Sequence, residues 1–277
     1  MKTKVILFCL VFIFIMAGSS LAQYQPPPEE QKHDVTSPRV TKISGLSTLS
    51  PRKLVDCPTA ALLPRGSFDF DVRFFPNGGV NIALGIGLMK RLNVGMSYGG
   101  EEIIGDKDPN WNPRIEFAVK YRLINESYMM PAFALGFDSQ GYGAYDDSLD
   151  RYANKSKGFY GVISKNYLVF EQVPVGLHFG GNYSLENEDK DKSLDLYLGG
   201  DVRITEDLAG ALEYDLALND NRKDQYYGRG YGYLNLGIQW IFQDRLVLEL
   251  DLKNVLRNKP GDITMSREVR IVYVEYF

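Results

Sequence analysis

From Gly66 to Phe277, apolar and polar residues alternate with a period of two. Residues 68–74 are typical, since phenylalanine and valine alternate there with Asp69, Asp71 and Arg73. Successive side chains of a β-strand point to opposite sides of the sheet, so this pattern predicts strands with one apolar and one charged face. A chain patterned in this way over most of its length is restricted to all-β folds whose two sheet faces meet different surroundings.

The alternation predicts twelve strands. Most have about nine to eleven residues, the length that a strand tilted by about 45° needs to cross a membrane, whereas soluble strands typically have about five or six. The predicted strands are residues 67–75, 80–88, 92–99, 113–122, 128–137, 157–164, 174–183, 193–203, 208–217, 231–242, 245–253 and 268–277. Residues 66–277 are therefore predicted to form a single antiparallel up-and-down transmembrane β-barrel of about twelve strands, with a soluble β-sandwich as the alternative.

The predicted connections alternate between short and long. Those after even-numbered strands are mostly short, as at 89–91 and 243–244, and those after odd-numbered strands are mostly long, as at 138–156. Outer-membrane barrels have short periplasmic turns and longer external loops, so we expect both ends of the barrel chain in the periplasm. Two connections fit less well: 76–79 is a tight external hairpin, and 165–173 is long for a periplasmic turn.

The residues before the barrel divide into three parts. Residues 1–22 have the basic start, apolar core and small-residue end of a signal peptide, with cleavage expected after Ala22. Their apolar core is shorter than the roughly 20 residues that a membrane-spanning helix needs. We expect residues 23–45 to form a disordered periplasmic lead-in and residues 46–65 a periplasmic stub or a plug segment. The predicted location is the cell outer membrane.

The last predicted strand suggests which partners the barrel meets. Residues 268–277 end on Phe277 and resemble the C-terminal insertion signal of bacterial outer-membrane proteins, although Glu275 interrupts the apolar face. The expected partners are outer-membrane lipid and, through this strand, the barrel-insertion machinery. A net charge of −4 does not suggest nucleic acid. After signal cleavage Cys57 is the remaining cysteine, so no internal disulfide is expected.

Charged residues fill the inner face of the predicted barrel. The lumen-lining candidates are Asp69, Asp71, Arg73, Arg114, Glu116, Lys120, Arg122, His178, Asp195, Asp201, Glu213, Asp215, Glu249, Asp251 and Arg270. Such residues can line a hydrophilic pore or a sugar-binding lumen, and they can equally form a packed salt-bridge network that holds a narrow barrel shut. Both signs of charge are mixed, so neither anion nor cation selectivity is predicted.

Catalysis is not predicted. His178 lies on the polar face of its strand, and no serine nucleophile motif pairs with it in the sequence. We expect it to form hydrogen bonds in the lumen. The acidic run 145–150 lacks the glycine and terminal glutamate of a calcium loop, so it is interpreted as a solvated external loop. No catalytic residue, metal or cofactor is predicted, and we expect the chain not to be an enzyme.

Several short phrases resemble a known family. They are Pro58-Thr59-Ala60 leading to 63–67, the stretch 92–100, Gly136-Phe137-Asp138, and 228–235. Together they look like the YjbH-like outer-membrane barrels across residues 57–277. The resemblance implies a link to exopolysaccharide production or export, with polysaccharide as a further partner. It supplies no catalytic residues.

The functional hypotheses are thus three. The first is a porin-like conduit or an accessory component of exopolysaccharide production or export. The second is a structural or assembly-partner barrel with a plugged lumen. The third, more remote, is an outer-membrane phospholipase that uses His178.

Overall fold

The computed structural model describes residues 51–170, 172–221, 228–259 and 265–277. The signal-peptide and lead-in predictions, and the first residues of the predicted stub or plug, lie outside these ranges. The strands are β1 Ser67–Phe75, β2 Gly79–Met89, β3 Leu92–Glu101, β4 Asn110–Trp111, β5 Glu116–Ile124, β6 Ala132–Asp138, β7 Tyr142–Asp146, β8 Arg151–Asn154, β9 Gly158–Val169, β10 Val173–Tyr183, β11 Asp195–Arg203, β12 Leu208–Asp215, β13 Tyr233–Phe242, β14 Leu246–Lys253 and β15 Ser266–Tyr276. Within the described ranges, no helix has the length and apolar character to span a membrane.

Twelve of these strands close into a barrel. Each pairs antiparallel with the barrel strands before and after it in the chain, and β15 pairs with β1 from Ser67 opposite Tyr276 to Phe74 opposite Val269. The short strand β4 extends one edge of β3, and β7 and β8 form a separate hairpin. The predicted fold, a single up-and-down antiparallel barrel of twelve strands, is confirmed.

All twelve predicted strands occur. The two largest errors are the end of β9, which lies five residues beyond the predicted 164, and the start of β6. That strand begins at Ala132, whereas the alternation predicted a start at residue 128. The amide of Ser127 donates to the carbonyl of Met130, and the amide of Met130 donates to the Ser127 hydroxyl, so these residues close a turn. Pro131 follows and has no N–H to donate to a sheet.

The two ends of the barrel differ in their connections. At the end we call the short-turn end they are 90–91, 125–131, 170–172, 204–207 and 243–245, and at the long-loop end they are 76–78, 102–115, 139–157, 184–194, 216–232 and 254–265. The turn that seemed long in the sequence is short because β9 continues to Val169. The 76–78 hairpin is tight, as predicted, since Asn77 and Gly78 both adopt the positive φ angles (62° and 65°) that a two-residue hairpin turn requires.

The connection 139–157 was predicted as an external loop, and it contains the hairpin β7–β8. The rings of Tyr145 and Tyr152 face each other across it edge-on, with centroids 5.0 Å apart. Tyr142 and Tyr152 are both buried, which shows that the hairpin turns inward. The acidic run at its tip remains largely exposed, as expected.

The outer and inner faces of the barrel invert the arrangement of a soluble protein. Large apolar side chains such as Phe117 on β5 and Ile238 on β13 are more than half exposed, whereas the charged groups of Glu116 and Glu213 are fully buried. A continuous apolar outer surface is unfavourable in water and favourable against lipid. The alternation along each strand therefore separates a lipid-compatible exterior from a polar interior.

A charge placed at mid-height on the outer face tests this arrangement. We expect Ile238→Arg to lower the free energy of unfolding in lipid vesicles by about 2–4 kcal/mol, because an arginine at the membrane midplane is poorly solvated. Phe242→Arg, on the same face at the end of the same strand, is the matched control and should cost about 0–1 kcal/mol. Denaturant titration in vesicles measures both, and equal costs would contradict a lipid-facing β13.

Candidate functional site in the lumen

Residues 51–65 lie inside the barrel, and we call them the lumen segment. The chain enters from the short-turn end, where Gly66 begins the approach to β1. The segment makes a tight turn in which the amide of Leu54 donates to the carbonyl of Cys57 at 2.9 Å. Leu54, Val55 and Cys57 have no exposed surface. Most of the polar groups of this segment are bound by side chains of the barrel wall.

One carboxylate binds three successive backbone amides of the turn. The amides of Val55, Asp56 and Cys57 donate to Glu213 Oε2 at 3.1, 2.9 and 2.6 Å. The other oxygen, Oε1, accepts from the side-chain amide of Asn235 at 2.8 Å. Consecutive N–H groups pointing at one place form a concave anion-binding site, which the fully buried Glu213 occupies.

The turn carries a carboxylate of its own, and the wall binds it with cations. Arg73 Nη1 lies 2.6 Å from Asp56 Oδ1, and Lys253 Nζ lies 2.7 Å from Asp56 Oδ2. Arg73 also donates to the carbonyl of Val55 at 2.7 Å. Both cations contact Glu268 as well, at 3.1 and 3.2 Å. The wall thus supplies a negative charge to the turn's amides and positive charges to its carboxylate.

His178 belongs to a hydrogen-bonded chain that ends on the lumen segment. Its Nδ1 lies 2.7 Å from Ser164 Oγ, and its Nε2 lies 2.8 Å from Asp201 Oδ1. An ionised carboxylate only accepts, so in the neutral imidazole Nε2–H donates to Asp201 and Nδ1 accepts from the serine hydroxyl. Ser164 Oγ in turn accepts from the amide of Ala60 at 2.9 Å.

The order serine, histidine, aspartate is also that of a hydrolase triad. A hydrolase needs its serine oxygen within reach of a substrate carbonyl. Here Ser164 is buried, and its oxygen is covered by Ala60 of the lumen segment. In this structure the hydrogen-bonded series of Asp201, His178 and Ser164 positions the lumen segment. No sequence motif marks this pairing, because Ser164 and His178 meet as directly opposed residues of β9 and β10.

Further wall contacts hold the segment on both sides of the turn 54–57. Lys120 Nζ donates to the carbonyls of Arg52 and Thr59 at 3.0 and 2.9 Å, and the Tyr197 hydroxyl donates to the carbonyl of Pro58 at 3.0 Å. Arg52 pairs with Asp69 at 2.6 Å. Each of these wall groups comes from a different barrel strand, so the segment is fixed from several sides.

The predicted lumen residues mostly occupy the inner face. On the inward side of the barrel strands lie Asp69, Asp71, Arg73, Glu116, Lys120, Arg122, His178, Asp195, Asp201, Glu213, Asp215, Glu249, Asp251 and Arg270. Some of them pair with each other, as Arg270 does with Asp71 at 2.7 Å and with Glu249 at 3.1 Å. Others bind the lumen segment.

Arg114 is the exception among the predicted lumen residues. It precedes β5, which begins at Glu116 and not at the predicted residue 113. Its side chain is 45% exposed at the long-loop end, where it bonds Glu116 at 2.9 Å. Pro113 cannot donate to a sheet, which explains the later start of the strand.

Several contributors were missing from the predicted set, and four of them show why. Lys53 and Asp56 lie in the segment without periodicity, where no pattern marked them. Ser164 is an uncharged residue on an inner face. Lys253 is in phase with Glu249 and Asp251 along β14, and that alternation was sufficient to find it.

A second buried polar cluster closes part of the long-loop end. Arg151 of the hairpin has no exposed surface and binds Asp189 at 2.6 Å and Asp220 at 3.0 Å. The amides of Tyr152 and Ser156 donate to the two oxygens of Glu186 at 3.2 and 3.3 Å. The cluster ties β7–β8 to the connections 184–194 and 216–232.

Comparisons with known proteins add structural likenesses of low identity. No protein-family model and no curated protein matches the chain. Among solved structures, the KdgM porin is similar at 12% identity and a TM-score of 0.46, over 75% of this chain and 98% of that one. The NanC porin is similar at 11% and 0.40, over 76% and 99%. The COG4313 outer membrane channel from Pseudomonas putida F1 is similar at 14% and 0.44, over 78% and 98%.

Removing the Glu213 carboxylate tests how the lumen segment is held. We expect Glu213→Ala to speed maleimide labelling of Cys57, quantified by mass spectrometry of its peptide, by at least about tenfold. Hydrogen bonds to a charged group contribute about 1.5–3 kcal/mol each, and 1.4 kcal/mol corresponds to a factor of ten.

Glu249→Ala is the matched control for that experiment. It removes another fully buried lumen carboxylate, whose described partners are Arg270 and Gln239 and not the lumen segment. Labelling of Cys57 in this variant should stay near the unsubstituted rate. Equal acceleration in both variants would show that general loosening of the barrel, and not loss of the Glu213 contact, exposes Cys57.

The long-loop cluster should weaken as pH rises. Burial raises the pKa of Glu186 to about 7, although hydrogen bonds from Ser156 and Tyr152 and the charge of Arg151 oppose this. An unfolded glutamate titrates near pH 4.3, so the cluster is most stable below about that pH and loses roughly 3 kcal/mol as pH rises from there to about 7. Amide exchange at Tyr152 and Ser156, corrected for intrinsic rates, should accelerate over this range. Glu186→Gln should remove the pH dependence, and a dependence that persists in this variant would assign it to another group.

Proposed function

We propose that the chain is an outer-membrane barrel that conducts small polar solutes and is narrowed by its own lumen segment. The observation that carries this proposal is the binding of the turn 54–57 by polar and ionic contacts, above all with Glu213. Apolar packing of Cys57, Ala60 and Leu63 against the wall adds to it. A lumen is the one part of such a barrel where displaced charges can be hydrated.

The energetics favour a segment that is held firmly and released as a unit. Charge-assisted hydrogen bonds contribute about 1.5–3 kcal/mol each, so the three amides on Glu213 keep the released form rare. When the segment is released, water hydrates Glu213, Arg73 and Lys253 in place of the turn. This hydration offsets part of the free energy lost with the hydrogen bonds and ion pairs. An apolar plug of equal size would offer no such compensation.

The outer surface supports placement in a membrane. Exposed apolar side chains cover the barrel strands, as on β13, where Leu236, Ile238 and Trp240 all face outward. The short and long connections alternate as they do in outer-membrane barrels, which favours a periplasmic short-turn end. The lumen segment then joins β1 at the periplasmic end of the barrel.

A role in exopolysaccharide production or export is the finer part of the proposal. It is supported by the resemblance of 58–67, 92–100 and 228–235 to YjbH-like barrels. A polymer needs a continuous open path, and the buried residues 51–65 fill part of the lumen, so this role requires release of the segment. Polysaccharide is therefore proposed as a solute of the released form.

The second candidate is a structural or assembly-partner barrel that stays closed. The buried cluster around Arg151, Asp189 and Asp220 favours it, because it fixes the hairpin β7–β8 across the long-loop end. The two candidates differ in one measurable property, the ionic current through the folded barrel.

Planar-bilayer conductance separates the two candidates. We expect the full chain to give small currents, and a deletion of residues 51–65 to give currents several-fold larger, because the segment fills part of the lumen. Heat-modifiable migration in detergent gels confirms that both proteins are folded barrels before the measurement. Absence of current from both folded proteins, across voltages and salts, would remove the conduit and leave the closed barrel.

A further inference from the structure

We propose that solutes pass this barrel off-centre, between the lumen segment and the wall formed by β2, β3 and β5, and that Tyr142 is the constriction of this route. The inference rests on the proposed conduit function and assigns its path. It follows from where the segment packs, what lines the opposite wall, and what separates two cavities.

The lumen segment packs against β11, β12 and β13. A Cβ atom on Gly199 of β11 would lie 2.5 Å from Leu54 Cδ1, and one on Gly237 of β13 would lie 3.4 Å from Val55 Cγ2. Between these two strands, Glu213 of β12 binds the amides of the turn. Glycine at position 199 is what permits this close approach, so the turn 54–57 lies on the β11–β13 side of the lumen. Other parts of the segment reach the far wall, where Lys120 of β5 binds the carbonyls of Arg52 and Thr59 and Leu63 lies beside Gly85 of β2.

The opposite wall carries a strip of small side chains. Ala83 of β2 lies opposite Ser97 of β3, while Gly85, Gly95 and Ala118 are neighbours across β2, β3 and β5. All five line a cavity of about 130 Å³ between this wall and the segment. An apolar cavity of about 150 Å³ can hold a benzene ring, so the space is comparable in volume to one small ring.

A second cavity, of about 190 Å³, lies at the long-loop end and is lined in part by Asn77, Glu101 and Asn154. Tyr142 lines both cavities. The two spaces therefore adjoin at the phenol ring of Tyr142, which is the residue that would separate them along the proposed route.

Contacts from three directions hold Tyr142 in this position. Its hydroxyl accepts from Lys53 Nζ at 3.0 Å, and its ring centroid lies 4.6 Å from the Arg73 guanidinium and 4.8 Å from Lys253 Nζ. Cations over an aromatic face attract the ring when desolvated. Lys53 belongs to the lumen segment and Tyr142 to the external hairpin, so the constriction forms where the two meet.

Cysteine labelling in reconstituted vesicles tests the route without depending on current. Ala118→Cys places a thiol on the proposed path. Ala211→Cys is the matched control, an inward-facing position of β12 that is buried on the side of the segment. In the full chain we expect a charged, water-soluble maleimide to label Ala118→Cys at least about tenfold faster than Ala211→Cys. Equal rates at the two positions would overturn the route.

Two substitutions of Tyr142 test whether it forms the constriction. Tyr142→Ala removes the ring and should raise both the labelling of Ala118→Cys from the long-loop side and the current several-fold. Tyr142→Phe keeps the ring, loses the bond to Lys53 and should leave both near their original values. Unchanged labelling and current in Tyr142→Ala would overturn the assignment of the constriction.

These results separate the route from the conduit function. Fast labelling of Ala118→Cys with no current from any variant would support a water-filled path and reject solute conduction. Current that persists unchanged after Ala118→Cys is labelled would keep the conduit and reject this path.

Discussion

The Glu213 carboxylate is the interaction on which the interior of this barrel depends. It is fully buried, and most of its compensation comes from three consecutive amides of residues 55–57. An uncompensated carboxylate at this place would be costly in free energy, and three amides without an acceptor would be costly as well. The carboxylate and the three amides therefore compensate each other's burial, and the lumen segment and the wall depend on each other for this.

The same reciprocity extends to the rest of the inner face. Arg73 and Lys253 surround Asp56 of the segment, while Arg270 stays within the wall and joins Asp71 to Glu249. Buried ion pairs of this kind contribute little net stability when their desolvation is counted, but they fix geometry strongly because a lone partner is so unfavourable. The charges of this lumen thus specify one position for the lumen segment.

The fold was predictable because the barrel repeats one local rule. A period of two places every second side chain on the same face, so strands and their inner residues could be read from the sequence, with errors where Pro113 and Pro131 displace a strand start. The lumen segment has no period, and its contacts join residues as distant as Val55 and Glu213, which are 158 positions apart. Such pairs leave no local pattern, and neither does the pairing of Ser164 with His178 across two strands.

The position of the lumen segment in the chain also sets an order of assembly. Residues 51–65 precede the first strand, yet their partners Ser164, Glu213 and Lys253 lie on β9, β12 and β14. The segment cannot acquire its native contacts until the second half of the chain has been inserted and paired, and contacts of such long sequence separation form slowly. Internal docking is therefore a late event of assembly, and it starts from a barrel wall whose interior is still hydrated.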